Sequence, residues 1–178
     1  MKTKMLTKIN IGRIVINHLQ TLRNDNTNKI GVDDILTFLI LPIIGASALS
    51  YFHVKLNDSA TNIIISTLSI LVGLLFNVIV IIFDIIKRDN TKKVKNKLLN
   101  ELLTNISYSI VLSILIITIT LLTFIEDCNL QMGATWLVYF LIGNYFLTVL
   151  MILKRMYIMF ANELNEIEKN GGAQDNNN

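Results

Sequence analysis

The chain has 178 residues, 52% of them hydrophobic and 16% charged, with a formal net charge of +3. This length leaves room for one helical bundle and excludes a separately folded soluble domain beside it. Four long runs free of charged residues and histidine fill most of the chain, which indicates an integral membrane protein. Lys outnumbers Arg 12 to 4, which suggests an AT-rich gene from a bacterium or phage.

The N-terminal segment, residues 1–34, is basic and amphipathic. Apolar or small residues recur at steps of three or four with basic residues between them: Met5, Ile9, Gly12, Ile16 and Leu19 alternate with Lys4, Lys8 and Arg13. This pattern predicts a helix that lies on the anionic inner leaflet or against a partner. Because Ile11, Ile14 and Val15 make the segment apolar nearly all round, packing within an oligomer is an equal alternative.

The four apolar runs cover residues 35–52, 60–83, 106–125 and 134–153. About 20 helical residues, each rising ~1.5 Å, cross a ~30 Å hydrocarbon core, and a segment in lipid must satisfy its own backbone. Each run therefore predicts a spanning α-helix, so that residues 35–169 form an all-α, integral membrane four-helix bundle. In the first run, Pro42 and the small residues 45–48 indicate a packing seam between helices rather than a gating hinge.

Uncharged polar residues follow one face of the second run. Steps of three, four or seven residues place on that face Asn62, Ser66, Ser69, Gly73, Asn77 and Asp84. The third run has a weaker counterpart in Asn105, Ser109, Ser113 and Thr120, and the fourth run contains Asn144. Two interpretations remain open. The stripe packs against another helix, with Asn77 paired to Asn144, or it lines a water-filled path in an oligomer.

Helical patterns extend two of the spans into the cytosol. Val94, Leu98, Leu102 and Ile106 share one stripe, so the third span is expected to begin within a cytosolic hairpin at residues 84–105. The fourth is expected to continue along Met156, Phe160, Leu164 and Ile167, and the two extensions to pack together at the inner mouth. Residues 170–178, rich in Gly and Asn, predict a disordered tail.

Basic residues determine the predicted orientation. Fifteen Lys and Arg residues fall on the side of the two termini and the hairpin, and one falls on the other side. Positively charged segments stay inside, so the protein is expected in the bacterial inner membrane with both termini cytoplasmic. The hairpin's basic residues either anchor the spans or form a ring that attracts anions or a phosphorylated ligand. They are Lys87, Arg88, Lys92, Lys93, Lys95 and Lys97.

Catalytic chemistry finds little support in the chain. No His, Cys or carboxylate cluster has metal-ligand spacing, and no carboxylate lies at membrane depth as a proton relay. We therefore expect neither an enzyme nor a bound metal or cofactor. The single cysteine, Cys128, is either an incidental thiol or the site of an intersubunit disulfide.

The four spans, the basic N-terminal helix and the Lys-rich hairpin cover the whole chain. In these traits it resembles the small channel-forming membrane effectors of bacterial anti-phage defence, and that of the Hailong system most closely. The resemblance implies a tetrameric pore that causes ion leakage and growth arrest. It also implies a neighbouring nucleotidyltransferase whose oligonucleotide product holds the pore shut, with Lys2, Lys4, Lys8 and Arg13 as candidate contacts. Membrane-embedded immunity or superinfection-exclusion proteins, which bind another membrane protein, share the size and topology.

Overall fold

The protein is described by a computed structural model that covers residues 11–21, 31, 36–52, 54, 56–88, 93–123 and 128–175. Nearly all of these residues are helical, which confirms the all-α prediction. In chain order, the elements are α1 (Ile11–Thr21), a π-helical turn (Leu36–Ile40), α2 (Leu41–Tyr51), α3 (Asp58–Arg88), α4 (Lys93–Leu122) and α5 (Cys128–Asp175).

Among the described residues, three helices are long and apolar enough to cross a membrane. The segments concerned are Asp58–Asp84 of α3, Lys97–Leu122 of α4 and Gln131–Asn162 of α5. They confirm that the chain has the helices of a membrane protein. The apolar segment Leu36–Tyr51 is shorter, with a π-helical turn of 5 residues before 11 α-helical ones. The span predicted at residues 35–52 therefore stays a prediction.

Helix α4 lies at the centre of the bundle and packs against α1, α3 and α5. At the end of the bundle where α3 ends and α4 begins, the core joins three helices through Leu75, Ile82, Leu99, Leu102, Ile106, Ile152 and Met159. We call this the basic end, because the adjoining ends of α3 and α4 carry Lys87, Arg88, Lys93, Lys95 and Lys97, and Lys154 of α5 lies two residues from Ile152 of this core. A second core, towards the opposite end, contains Leu68, Leu112, Ile116, Val138 and Tyr145.

Helix α2 is held against α5 by small-residue packing. Pro42 and Ala46 are buried, and a Cβ atom added to Gly143 would lie 3.1 Å from the Pro42 Cβ. Such a close approach is possible because glycine has no side chain at this point. The predicted packing seam is therefore present at Pro42 and Ala46, whereas Gly45, Ser47 and Ala48 are exposed.

The two helical extensions differ in how well the sequence pattern located their buried faces. In α4, Leu102 and Ile106 are buried as the stripe predicts. In α5 the predicted stripe is buried only in part: Met156 packs against the core beside the buried Met159, whereas Phe160 and Leu164 are exposed. The helix is turned so that Arg155 points inwards to an acidic partner, which moves the buried side away from the predicted stripe.

The C-terminal tail is a second correction. Helix α5 continues to Asp175, so residues 170–175 are helical where the composition predicted disorder, and residues 176–178 lie outside the described part. An established helix propagates at low cost through polar residues, because each added residue gains a backbone hydrogen bond. The Gly and Asn content of the tail was therefore a poor guide to its backbone.

Candidate functional site

The polar stripe of α3 lies on the outer surface of the chain. Its six members, Asn62, Ser66, Ser69, Gly73, Asn77 and Asp84, are all exposed. At 100° per residue, the stripe lies almost opposite the face that Leu68, Leu75 and Ile82 bury against the bundle. The helices that the structure describes therefore leave the stripe exposed along the length of the span.

Contacts within the described part of the chain do not explain the two amides of this stripe, Asn62 and Asn77. Between the described parts of α3 and α5 there is no close backbone approach, and the Asn144 side-chain amide donates to the Phe140 carbonyl oxygen at 3.3 Å. The predicted pairing of Asn77 with Asn144 is therefore wrong within one chain. The Ser69 hydroxyl donates to the Ile65 carbonyl oxygen at 2.8 Å, so serine is satisfied by its own helix. In lipid, the exposed amides of Asn62 and Asn77 need partners that the described part of the chain does not supply.

The counterpart on α4 is buried instead. Asn105, Ser109, Ser113 and Thr120 have no accessible surface, because this face of α4 is turned into the bundle. Ser113 donates to the Ile110 carbonyl oxygen at 2.7 Å. In the described part of the chain, Ser109 and Thr120 have no hydrogen-bond partner for their hydroxyl oxygens. Ser109, Ser113 and Thr120 would need a rearrangement of α4 to line a water-filled path.

The basic candidates are distributed around the basic end. Lys97 is exposed and lies 4.0 Å from Glu101, one turn further along α4. Arg13 is exposed on α1. Lys87 and Arg88 form the last residues of α3, and Lys93 and Lys95 lie in the first turn of α4, with no side-chain position described. Lys2, Lys4, Lys8 and Lys92 lie outside the described residues, and so does His53.

Helix α1 docks on α4 through a buried histidine that the sequence pattern did not single out. His18 is 3% exposed, and its ring stacks on Tyr108 with centroids 3.8 Å apart and planes 5° from parallel. Phe38 meets the same ring edge-on, with a centroid distance of 6.4 Å. Residues Ile14 and Val15 are half-buried beside it, whereas Ile16 and Leu19 of the predicted stripe are exposed. One face of α1 therefore contacts the bundle, and the other remains free for lipid or another chain.

An amide on α4 receives the polar atoms of α1. His18 Nδ1 lies 2.9 Å from Asn105 Oδ1 and donates to it in the tautomer that carries its proton there. The Thr21 hydroxyl lies 2.8 Å from the same oxygen and 2.7 Å from the His18 carbonyl oxygen, so its single proton is shared between two acceptors. The Asn105 Nδ2 group has no partner in the described part of the chain.

Arg155 connects α5 to α1 and to α4. Its Nη2 donates to the Thr21 carbonyl oxygen at 2.9 Å, at the C-terminus of α1 where free carbonyl groups and the helix dipole favour a cation. Its Nη1 lies 2.8 Å from Glu101 Oε2 in an ion pair whose alignment is poor for a hydrogen bond. The side chains of Arg155 and Glu101 are 14% and 24% exposed. We call His18, Thr21, Asn105, Tyr108 and Arg155 the α1 clasp.

A sequence signal for the α1 clasp exists, although it is weak. His18 lies one turn after Ile14 on the side of α1 that the predicted stripe leaves out, and Asn105 begins the polar row of α4. Nothing in the sequence indicates that His18 and Asn105 contact each other. Arg155 lies two residues after the last apolar run, next to Lys154, and has the appearance of a topological anchor, which concealed its inward direction.

Among the residues that the structure describes, no three His, Cys, Asp or Glu side chains lie close enough to hold a metal ion. The fold therefore defines a class, an all-helical protein with membrane-length helices, a polar outer stripe and a clasped N-terminal helix. Comparison with known protein families, curated proteins and solved structures finds no match.

Proposed function

We propose that the protein is a homo-oligomeric ion channel of the bacterial inner membrane. The observation that carries the proposal is the exposed polar stripe on α3. An amide that faces lipid has lost its water partners, and a hydrogen bond between helices in a membrane regains only about 0.6–2 kcal/mol. Copies of the chain around a common axis would turn each stripe away from lipid, towards a shared aqueous path or a neighbouring subunit.

The proposed topology has four spans, with residues 35–52 as the first and both termini cytoplasmic. It rests on the distribution of Lys and Arg, of which fifteen lie on one side and one on the other. A membrane-impermeant thiol reagent added outside spheroplasts is expected to label Cys128, the only cysteine of the chain. Labelling that requires access from the cytosol would invert the proposed orientation.

The basic end supports an anion-permeable mouth. In a symmetric oligomer, Lys97 and the lysines near it would be repeated around the axis, and a ring of positive charge raises the local concentration of anions. The role proposed from the resemblance is an effector of abortive infection, closed by a nucleotide or oligonucleotide signal. Such a ligand carries phosphate groups that a lysine ring binds, and the partner that makes it would be a nucleotidyltransferase.

A charge placed on the stripe tests whether this face meets water. Purified protein in several detergents and in nanodiscs is expected to be oligomeric, and Ser69→Lys is expected to assemble and to shift the reversal potential towards anions in a planar bilayer. The matched control is Thr67→Lys, at an exposed position about 160° round α3 from Ser69 and about 80° from Asn77. Its lysine lies outside the stripe and should leave the reversal potential unchanged. A strictly monomeric protein, or a Ser69→Lys variant that only fails to assemble, contradicts the channel.

In a second candidate function, the polar stripe of α3 is a contact surface for a helix of another membrane protein. Ser69 is satisfied by its own helix, and a Cβ atom added to Gly73 would meet no other atom within 4 Å. Both features suit close contact with a helix of another membrane protein, as in an immunity or superinfection-exclusion protein. Failure of Ser69→Lys to assemble, together with loss of a bound partner, would favour this function.

A further inference from the structure

The α1 clasp contains a titratable group that the proposed channel does not use. His18 is the buried histidine of α1, and its ring is enclosed by Tyr108, Phe38 and the Asn105 amide. A neutral imidazole fits this setting because it stacks on an aromatic ring and needs only one or two hydrogen bonds. An imidazolium would bring a full positive charge into the same enclosed space.

We propose that α1 is an acid-sensitive latch, which stays docked on α4 while His18 is neutral and is released when His18 takes up a proton. The proposal concerns the docking of α1, and it stands whether or not the chain conducts ions. Its ligand is the proton, and its moving part is the segment that ends at Thr21.

The charges around His18 disfavour its protonated form. Arg155 of α5 is a permanent cation, and Glu101 of α4 is already paired with Arg155 and shared with Lys97. Tyr108 and Asn105 are uncharged. Burial lowers the pKa of His18 below its ordinary value of 6.5, the Asn105 hydrogen bond raises it, and the charge of Arg155 lowers it further.

The direction of the pH effect follows from this lowered pKa. Undocked α1 has an ordinary histidine that binds a proton near pH 6.5, whereas docked α1 resists protonation. Docking is therefore fully favourable above about pH 6.5 and weakens as the pH falls towards the docked pKa. Across that interval the docking equilibrium constant falls by up to about tenfold per pH unit. Release uncovers Asn105 and Tyr108 at the basic end.

Distance measurement on the full chain tests the latch. Spin labels at Asn17 of α1 and Asn100 of α4, both exposed, report docking in a Cys128→Ser background. The labelled chains are diluted with an excess of unlabelled chains in nanodiscs, so that distances within one chain are recorded. Double electron–electron resonance spectroscopy at about pH 7.5 is expected to give one narrow distribution of label-to-label distances. At about pH 5 a broad, longer component is expected to appear. Identical distributions at the two pH values overturn the proposal.

Two variants separate protonation of His18 from general acid damage. His18→Phe keeps the ring stack without a titratable group, so it is expected to stay docked at both pH values. Asn105→Asp places a carboxylate against His18 and raises its docked pKa, so docking should strengthen on acidification, opposite to the wild type. His53→Gln, which changes the only other histidine, should respond as the wild type does.

The outcomes of these variants are decisive. Acid release that persists in docked His18→Phe, or that disappears in His53→Gln, overturns the proposal. If phenylalanine does not dock, Asn105→Asp is compared with the same change in a His18→Gln background, because the new carboxylate is buried and titrates by itself. Only the part of the reversed pH response that requires His18 reports its protonation. An Asn105→Asp variant released by acid like the wild type also overturns the latch.

Discussion

Replacement of Asn77 by leucine is expected to abolish ion conduction and leave the oligomer assembled. Val80, which is 66% exposed, already interrupts the stripe between Asn77 and Asp84. The variant would extend the apolar stretch from Gly73 to Asp84, or about 16 Å of helix. A narrow apolar stretch of this length empties of water and closes a path to ions. Only ~1.4 kcal/mol of added barrier suffices for about a tenfold loss of conductance.

The matched control is Thr67→Leu, a polar-to-apolar change at an exposed position of α3 about 80° from Asn77 and about 120° from the middle of the stripe. It adds the same apolar side chain to α3 outside the stripe, and it should conduct like the wild type. Single-channel recording and size-exclusion chromatography of both variants provide the measurement. Full conductance in Asn77→Leu contradicts a path along α3, and dissociation of its oligomer indicates that the stripe is a helix–helix contact.

The sequence predicted the helices of this protein better than their rotations. In water, the buried face of a helix is apolar and the other face polar, so periodicity locates the core. In a membrane both lipid and core are apolar. Helix α3 shows the consequence: Ile63 and Ile70 face outwards and Leu68 and Leu75 face the bundle, although all four are equally apolar.

The α1 clasp was hidden for a related reason. Helix α1 is apolar nearly all round, and its hydrophobic periodicity predicted a stripe through Ile16 and Leu19. In the structure those two residues are exposed, and the face that carries His18 is buried. The choice between two apolar faces is made by polar contacts across 84 to 134 residues of sequence, from Thr21 to Asn105 and to Arg155. Such long-range pairs leave no periodic signal in a single sequence.

Replacement of Arg155 by methionine is expected to weaken the docking of α1 on the bundle. Methionine keeps much of the length and apolar contact of the arginine stem but donates no hydrogen bond. The Thr21 carbonyl oxygen then loses its donor, and Glu101 loses the cation 2.8 Å away. An acceptor left without its partner in a partly buried site costs about 1–3 kcal/mol. We expect this loss to weaken the docking of α1 rather than to unfold α3–α5.

Hydrogen exchange of the reconstituted protein distinguishes weaker docking of α1 from unfolding of α3–α5. Amides of residues 11–21 should exchange about 5- to 150-fold faster in Arg155→Met, the ratio that corresponds to about 1–3 kcal/mol. Amides in the buried half of α4 should be unchanged. Lys154→Met, at the exposed adjacent position, is the control and should exchange like the wild type.

Arg155→Lys separates charge from geometry in the same experiment. Lysine keeps the positive charge, but its single ammonium group lacks the planar fork that reaches Thr21 and Glu101 in two directions. We therefore expect exchange in α1 to lie between that of the wild type and that of Arg155→Met. Equal exchange in all three proteins would mean that His18 and Asn105 hold α1 by themselves. The guanidinium would then be an anchor at the basic end with no part in the α1 clasp.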